Sequence, residues 1–362
     1  MAKAIGKIIL TIILALGVIA AFLFIERLDD AAVAPLLSED AVYFVPDDLE
    51  DPDALLYITD NPVDLPLETP SEIPELLEVD ELNNEIDEIN EELFIDPGYV
   101  LLQLEESEIH RGSLILVNHD IPFIFPSEEF NDLISVSEYL TDTIGITSVN
   151  TILSASIIAP LNKMMDEFYE STGISNVVIR SAFRSLAGQQ QIFDRTVREW
   201  GRRNALLWAS PPGHSEHHTG LAFDFGITRS GQIEMFDGTG TFNWIPRNSH
   251  RFGFILRYPR GKTEITGTNF EPWHYRYVGI PHASIIRNNN WAFEEYIEWI
   301  RKYTFEEPYT FTFEETEYII YFSPETEIRL PYDVDFIISG NNIDGFIITA
   351  WQPPDFDIVD AT

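Results

Sequence analysis

The 362-residue chain contains no cysteine. That excludes disulfides and thiolate metal sites, so any metal ion must be held by histidine and carboxylate. Basic residues are scarce as well: 22 Lys and Arg stand against 60 Asp and Glu, a formal net charge of -38. Nucleic acid is therefore a poor partner, because its phosphates need cationic surfaces. The shortage is local. Between Leu28 and Gly98 there are 23 Asp or Glu and no Lys or Arg, and Arg111 is the first base after Arg27. Apolar residues are plentiful at 45%, enough for a packed core in one large domain or two modest ones.

Ile8 to Ile25 is an apolar run of 18 residues broken only by Thr11 and Gly17. At about 1.5 Å per residue it nearly spans a bilayer's hydrocarbon core. Lys3 and Lys7 precede it and acids follow Arg27, so the basic side stays cytoplasmic and the rest of the chain is sent out. The expectation is a single-pass signal anchor over residues 1–27 and an extracytoplasmic protein. A cleaved signal peptide is the competing reading, with Ala32-Val33-Ala34 as its cleavage site. Residues 28–105 follow as an acidic spacer with scattered proline, which favours an extended, solvated chain. Within it, Leu76 to Leu93 has apolar residues at roughly helical spacing.

Residues 106–305 carry the chemistry. Ser113–Asn118, Asn176–Arg180, Gly253–Leu256 and Trp273–Val278 read as strands. Ile152–Ser171, Gln189–Trp200 and Phe293–Tyr303 contain helices. Leu221 to Ile227 alternates: Leu221, Phe223 and Phe225 face one way, Ala222, Asp224 and Gly226 the other. By the same rule His274 and Arg276 share one face of their strand, and Trp273, Tyr275 and Tyr277 share the other. A regular strand would set Glu271 opposite His274. Pro272 interrupts any ladder there, so a bend can swing Glu271 to the face that carries His274. Helices early and strands late imply an α+β fold with a mainly antiparallel sheet flanked by helices. Residues 306–362 read as a β-rich accessory module, with runs at Tyr309–Glu314, Glu317–Phe322, Phe336–Ser339 and Gly345–Trp351.

Two stretches stand out: Gly213-His214-Ser215-Glu216-His217-His218-Thr219-Gly220-Leu221-Ala222-Phe223-Asp224, and Glu271-Pro272-Trp273-His274-Tyr275-Arg276-Tyr277. Each piece alone is weak. The joint pattern Ser-x-His-x-x-Gly-x-Ala-x-Asp, then Glu-x-Trp-His-x-Arg-Tyr-Val, is specific. With Ser181-Ala182-Phe183-Arg184-Ser185 and Gly253-Phe254-Ile255-Leu256-Arg257-Tyr258-Pro259, it resembles the D-alanyl-D-alanine carboxypeptidases of the VanY type. The VanY type lies within the zinc peptidases that also include VanX and sonic hedgehog's zinc fold. The resemblance runs from about Gly112 to Ile286.

The resemblance implies that His217, Asp224 and His274 hold Zn²⁺, which suits a donor set of imidazoles and a carboxylate with one position left for water. It implies Glu271 as general base and Arg184 as the group that stabilises the oxyanion. Ser215, Gln189 and Arg276 are the candidate substrate-binding residues, and Arg257 is a further candidate for a terminal carboxylate. Gly220 is read as a backbone requirement. His218 falls where the family varies, and His214, His250 and His282 read as structural or exposed. Ala182 and Phe183 depart from the Gly and Tyr common in the family.

The implied activity is removal of the terminal D-alanine from peptidoglycan stem peptides by attack of zinc-bound water, at the outer face of a bacterial cell membrane. L,D-carboxypeptidase and endopeptidase activities occur on the same motif. A non-catalytic wall-binding protein is the rival from another class, and a base beside the metal argues against it.

Overall fold

A computed structural model describes residues 98–126 and 132–352. The anchor, most of the spacer and the last ten residues lie outside them. Among the described residues no helix is long and apolar enough to cross a membrane.

Alternating apolar residues build the main sheet. Its six strands follow the order Gly145–Ile146, Val177–Ser181, Ala222–Arg229, His274–Tyr277 and Phe254–Leu256, with Gln232–Met235 also paired to Ala222–Arg229. All pairings are antiparallel except the first, which is parallel. Phe223, Phe225 and Tyr275 are fully buried on one face with Phe236 and Phe254. Each such side chain contributes about 1.5–3 kcal/mol by leaving water.

The helix Ile158–Thr172 covers that face. Leu161, Met164, Met165 and Phe168 recur every three or four residues and are all buried. Pro160 sits in its first turn, where no donor is missed, and Gly173 ends it in the left-handed conformation at φ 70°. The opposite face carries Asp224, His274 and Arg276, and is left for chemistry.

The mixed α/β character expected from the sequence is present, with two differences. Ser113–Asn118 is not a strand. It runs without a ladder, and other groups satisfy its backbone: Leu116 N donates to Asn341 O (3.1 Å), and Leu114 N to Ser339 Oγ (2.8 Å). The carbonyls of Ser113 and Ile115 each accept from Arg276 Nη2 at 2.9 Å. Its apolar run is explained by burial alone.

Second, Tyr99–Gln103, read as the end of the spacer, is a strand paired antiparallel to Glu327–Pro331. The C-terminal strands form a four-stranded antiparallel sheet with Phe346–Trp351 inside it; Tyr321, Phe346 and Ile348 pack with Ile328 and Leu330 in a cluster of their own. Ile320, Phe322 and Ile347 share one cluster with Leu114, Leu116, Ile285 and the buried face of the helix Phe293–Ile300. His282 adds a polar tie across this junction: its ring hydrogen-bonds Tyr296 Oη on one side and Thr349 Oγ1 (2.9 Å) on the other.

Candidate metal centre

Strand pairing brings the central groups together. Asp224 lies directly opposite His274 in the antiparallel register, and Ala222 opposite Arg276. Alternation therefore places both carboxylate and imidazole on the face away from the aromatic core. His217 arrives on a 3₁₀ turn, Glu216–Thr219, whose first backbone donor is capped by Ser215 Oγ (3.3 Å from His217 N). Gly220 closes the turn at φ +70°. A β-carbon there would fall 3.1 Å from Ser154 N and closer still to Leu133 Cδ2, so the position needs glycine for space as well as for its backbone angle.

One donor atom from each of His217, Asp224 and His274 lies within 4.8 Å of the other two. Their hydrogen bonds specify which atoms face inward. His217 Nδ1 donates to the Ala182 carbonyl (2.6 Å), leaving Nε2 as a lone pair 3.5 Å from Asp224 Oδ2. His274 directs Nδ1 at Asp224 Oδ1 (2.9 Å) and Nε2 at Glu216 Oε2 (3.4 Å). Each imidazole thus has an outward nitrogen engaged and an inward one turned to the shared carboxylate. This is the outer support that metal-ligating histidines require, and the donor set fits a divalent ion.

The charges agree. Burial, aided by the Arg184 guanidinium, lowers His217 to about 4, so it is neutral at pH 7. Burial opposes ionisation of Asp224, but His217 and His274 outweigh it and hold its carboxyl well below the usual range. His274 is pushed up to about 9 because bonds to Asp224 and Glu216 overcome its burial. A divalent ion would replace that extra proton.

His218 cannot join this set. Its Nδ1 donates to Arg184 O (2.7 Å) and its Nε2 accepts from Gly213 N (3.0 Å). Both nitrogens are committed to backbone.

Glu271 reaches the same face through a turn at Pro272–Trp273, with His274 N bonded to Glu271 O at 3.2 Å. Its side chain is buried, and the charged groups that act on its carboxylate are His274, Asp224 and Arg184. Burial pushes it up to about 8, with Asp224 adding to the rise and His274 and Arg184 opposing it. Arg184 points inward as well. Nη2 lies 3.3 Å from Asp224 Oδ2, Nε donates to Ser181 Oγ (3.0 Å), and Nη1 donates to Gln189 Oε1 (2.7 Å).

The three residues expected to bind substrate are all buried. Gln189 is buried and holds Arg184, its own amide fixed to Ser210 O at 2.6 Å. Ser215 is buried and shapes the turn. Arg276 has no exposed side-chain surface and is fully engaged with Glu216, Tyr277 O, Ser113 O and Ile115 O. Arg257 is likewise enclosed, paired with Glu216 and, through two bonds, with Glu294. Glu216 had no role in the sequence reading. Its one signal was an acid next to a ligand histidine on a turn that faces inward.

Comparisons with known proteins converge on this region. A family model described as VanY, D-alanyl-D-alanine carboxypeptidase, matches residues 150–280. A D-alanyl-D-alanine carboxypeptidase of Enterococcus faecium is 32% identical over 253 residues, spanning 68% of this chain and 78% of the relative. The bifunctional D-Ala-D-Ala dipeptidase and carboxypeptidase VanXYC of Enterococcus gallinarum is 32% identical over 143 residues, covering 38% of this chain and 75% of its own. Among solved structures, the vancomycin-resistance D,D-dipeptidase VanXYg, in complex with a D-Ala-D-Ala phosphinate analogue, aligns with a TM-score of 0.62 at 32% identity. That alignment covers 70% of this chain and 98% of the other.

Proposed function

Since the chain belongs to the VanY family of D-alanyl-D-alanine carboxypeptidases, we propose that its metal centre binds zinc and removes the terminal D-alanine of peptidoglycan stem peptides. The chain is a carboxypeptidase; the metal, the residue roles and the location are our reading. One observation carries the catalytic assignment. Glu271 is a buried carboxylate set beside the donor cluster, within reach of the charges of His274, Asp224 and Arg184. A protein that only binds wall polymers has no use for such a group.

His217 Nε2, Asp224 and His274 Nδ1 would hold the ion. Zinc there would supply Lewis acidity towards a water molecule and the scissile carbonyl. Glu271 takes one proton from the attacking water as its oxygen bonds to the carbonyl carbon. The carboxylate keeps that proton until the C–N bond breaks, then gives it to the leaving D-alanine amine. With a dication bound beside it, Glu271 would be ionised and ready as a base near neutral pH. Arg184, fixed by Ser181 and Gln189, directs its guanidinium at the charge that develops on the carbonyl oxygen.

The test is mass spectrometry of purified muropeptides after incubation with the protein, with and without chelator. Loss of one alanine from the pentapeptide, abolished by chelator, is the expected result. Loss from the tetrapeptide alone would replace this reading with L,D-carboxypeptidase activity.

We place the enzyme on the outer face of a bacterial cell membrane, held by the apolar run Ile8–Ile25. Lys3 and Lys7 on one side of that run, acids on the other, and a substrate in the cell wall support this placement. Protease added to intact cells should digest the catalytic region; full protection would put it inside.

A further inference from the structure

Behind the donor cluster lies a second group of charges that the reaction above does not use. Glu216 is at its centre, with no exposed side-chain surface. Its Oε1 accepts from Arg257 Nε (2.8 Å) and Arg276 Nη1 (2.9 Å). Its Oε2 is turned the other way, towards His274 Nε2 at 3.4 Å. Arg257 passes on to Glu294 through bonds of 2.9 and 2.7 Å, and Glu294 accepts from Asn118 Nδ2 at 3.2 Å. Two carboxylates and two guanidiniums thus balance one another out of water. Arg257 packs 4.9 Å over the Tyr258 ring, and Tyr258 in turn lies 5.0 Å from the His274 ring.

A charge-balancing role explains Oε1 alone. If neutralising the arginines were the whole task, nothing would require the second oxygen to face a ligand imidazole. Imidazole is the one ligand here whose donor atom depends on where its proton sits. A neutral His274 protonated at Nδ1 would have no lone pair to offer beside Asp224. An anionic acceptor at Nε2 holds the proton there and leaves Nδ1 free. His217 receives the same service in mirror image from the Ala182 carbonyl.

We propose that Glu216 is a positioning residue for metal binding. It fixes the tautomer and ring orientation of His274 through Nε2, and Arg257 and Arg276 fix Glu216. Arg276 is thereby a strut and not a contact to substrate. Through its bonds to the Ser113 and Ile115 carbonyls it ties the ligand support to the segment that runs between the main sheet and the C-terminal strands.

This inference rests on the metal reading, and the experiment separates the two. Zinc dissociation constants are measured by chelator competition on the full chain, for wild type, Glu216→Gln and Glu216→Asp. Circular dichroism of the metal-free proteins reports folding. Glu216→Gln removes the anionic acceptor. Glu216→Asp keeps the charge that the arginines need but withdraws the carboxylate from His274 by one methylene. Both are expected to weaken zinc binding by about 10–100-fold, as loss of an outer partner does elsewhere. In the zinc-bound wild type, ¹⁵N NMR of His274 should show the proton on Nε2.

Folded variants with wild-type zinc affinity, or a wild-type His274 protonated at Nδ1, overturn the proposal. Should Glu216→Gln fail to fold because two guanidiniums are left buried, Glu216→Asp and the wild-type tautomer decide it. If the wild type itself binds no zinc, the metal reading is what fails.

Discussion

Replacing Glu271 by alanine is expected to leave zinc bound and slow hydrolysis by about 10³–10⁴-fold, the upper part of the range for a lost general base. That corresponds to roughly 4–5.5 kcal/mol of barrier. The structure separates the two effects. Glu271 is outside the donor set of His217, Asp224 and His274, so the metal does not depend on it. Burial pushes its carboxyl up to about 8, so truncation removes a costly buried acid, and the stability loss should be small. The measurement is D-alanine release from a D-Ala-D-Ala-terminated peptide, with zinc content determined on the same sample. Turnover near the wild-type rate would remove Glu271 as the base. Loss of zinc would move it into the coordination sphere.

The second large effect concerns the three neighbouring histidines. His217→Ala and His274→Ala are each expected to weaken zinc binding by more than about 100-fold, beyond what an outer-shell change costs. His218→Ala should keep its zinc. The contrast follows from the ring nitrogens. His217 and His274 each turn one inward to Asp224, whereas both nitrogens of His218 serve backbone groups, Arg184 O and Gly213 N. Elemental analysis after gel filtration distinguishes them. Equal zinc loss in the His218 variant would refute the ligand assignment. Some loss of activity in that variant is compatible with it, because His218 bonds the backbone of Arg184.

Groups whose placement follows from a local rule were legible in the sequence. Two-residue alternation turns Asp224 away from Phe223 and Phe225, and His274 away from Tyr275, wherever the strands pair. Pro272 announced the turn that carries Glu271. The helix Ile158–Thr172 shows its buried stripe at helical spacing. What escaped depends on distant partners. Arg276 shares a face with His274 and so looked available to substrate. Its actual partners include Ser113 O, 163 residues away, which no periodicity encodes. Ser113–Asn118 has a strand's composition but its hydrogen bonds come from Ser339, Asn341 and Asn342. Glu327–Pro331 is short, charged and ended by proline, and it becomes a strand only because Tyr99–Gln103 lies beside it. Glu216 belongs to the same class: its neighbours in space, Arg257 and Arg276, give it a role that its neighbours in sequence do not.

The threading of Ser113–Asn118 bears on the order in which the molecule assembles. Asp224 and His274 are 50 residues apart along the chain, whereas Asn342 and the Leu116 carbonyl it holds are separated by 226. Closing the longer loop costs about 1.3 kcal/mol more in chain entropy, and contacts of such separation form slowly. The ligands can therefore meet early in folding, while the segment that steadies Arg276 locks only when the final strands dock. A nascent chain can gather its donors before it can hold them still.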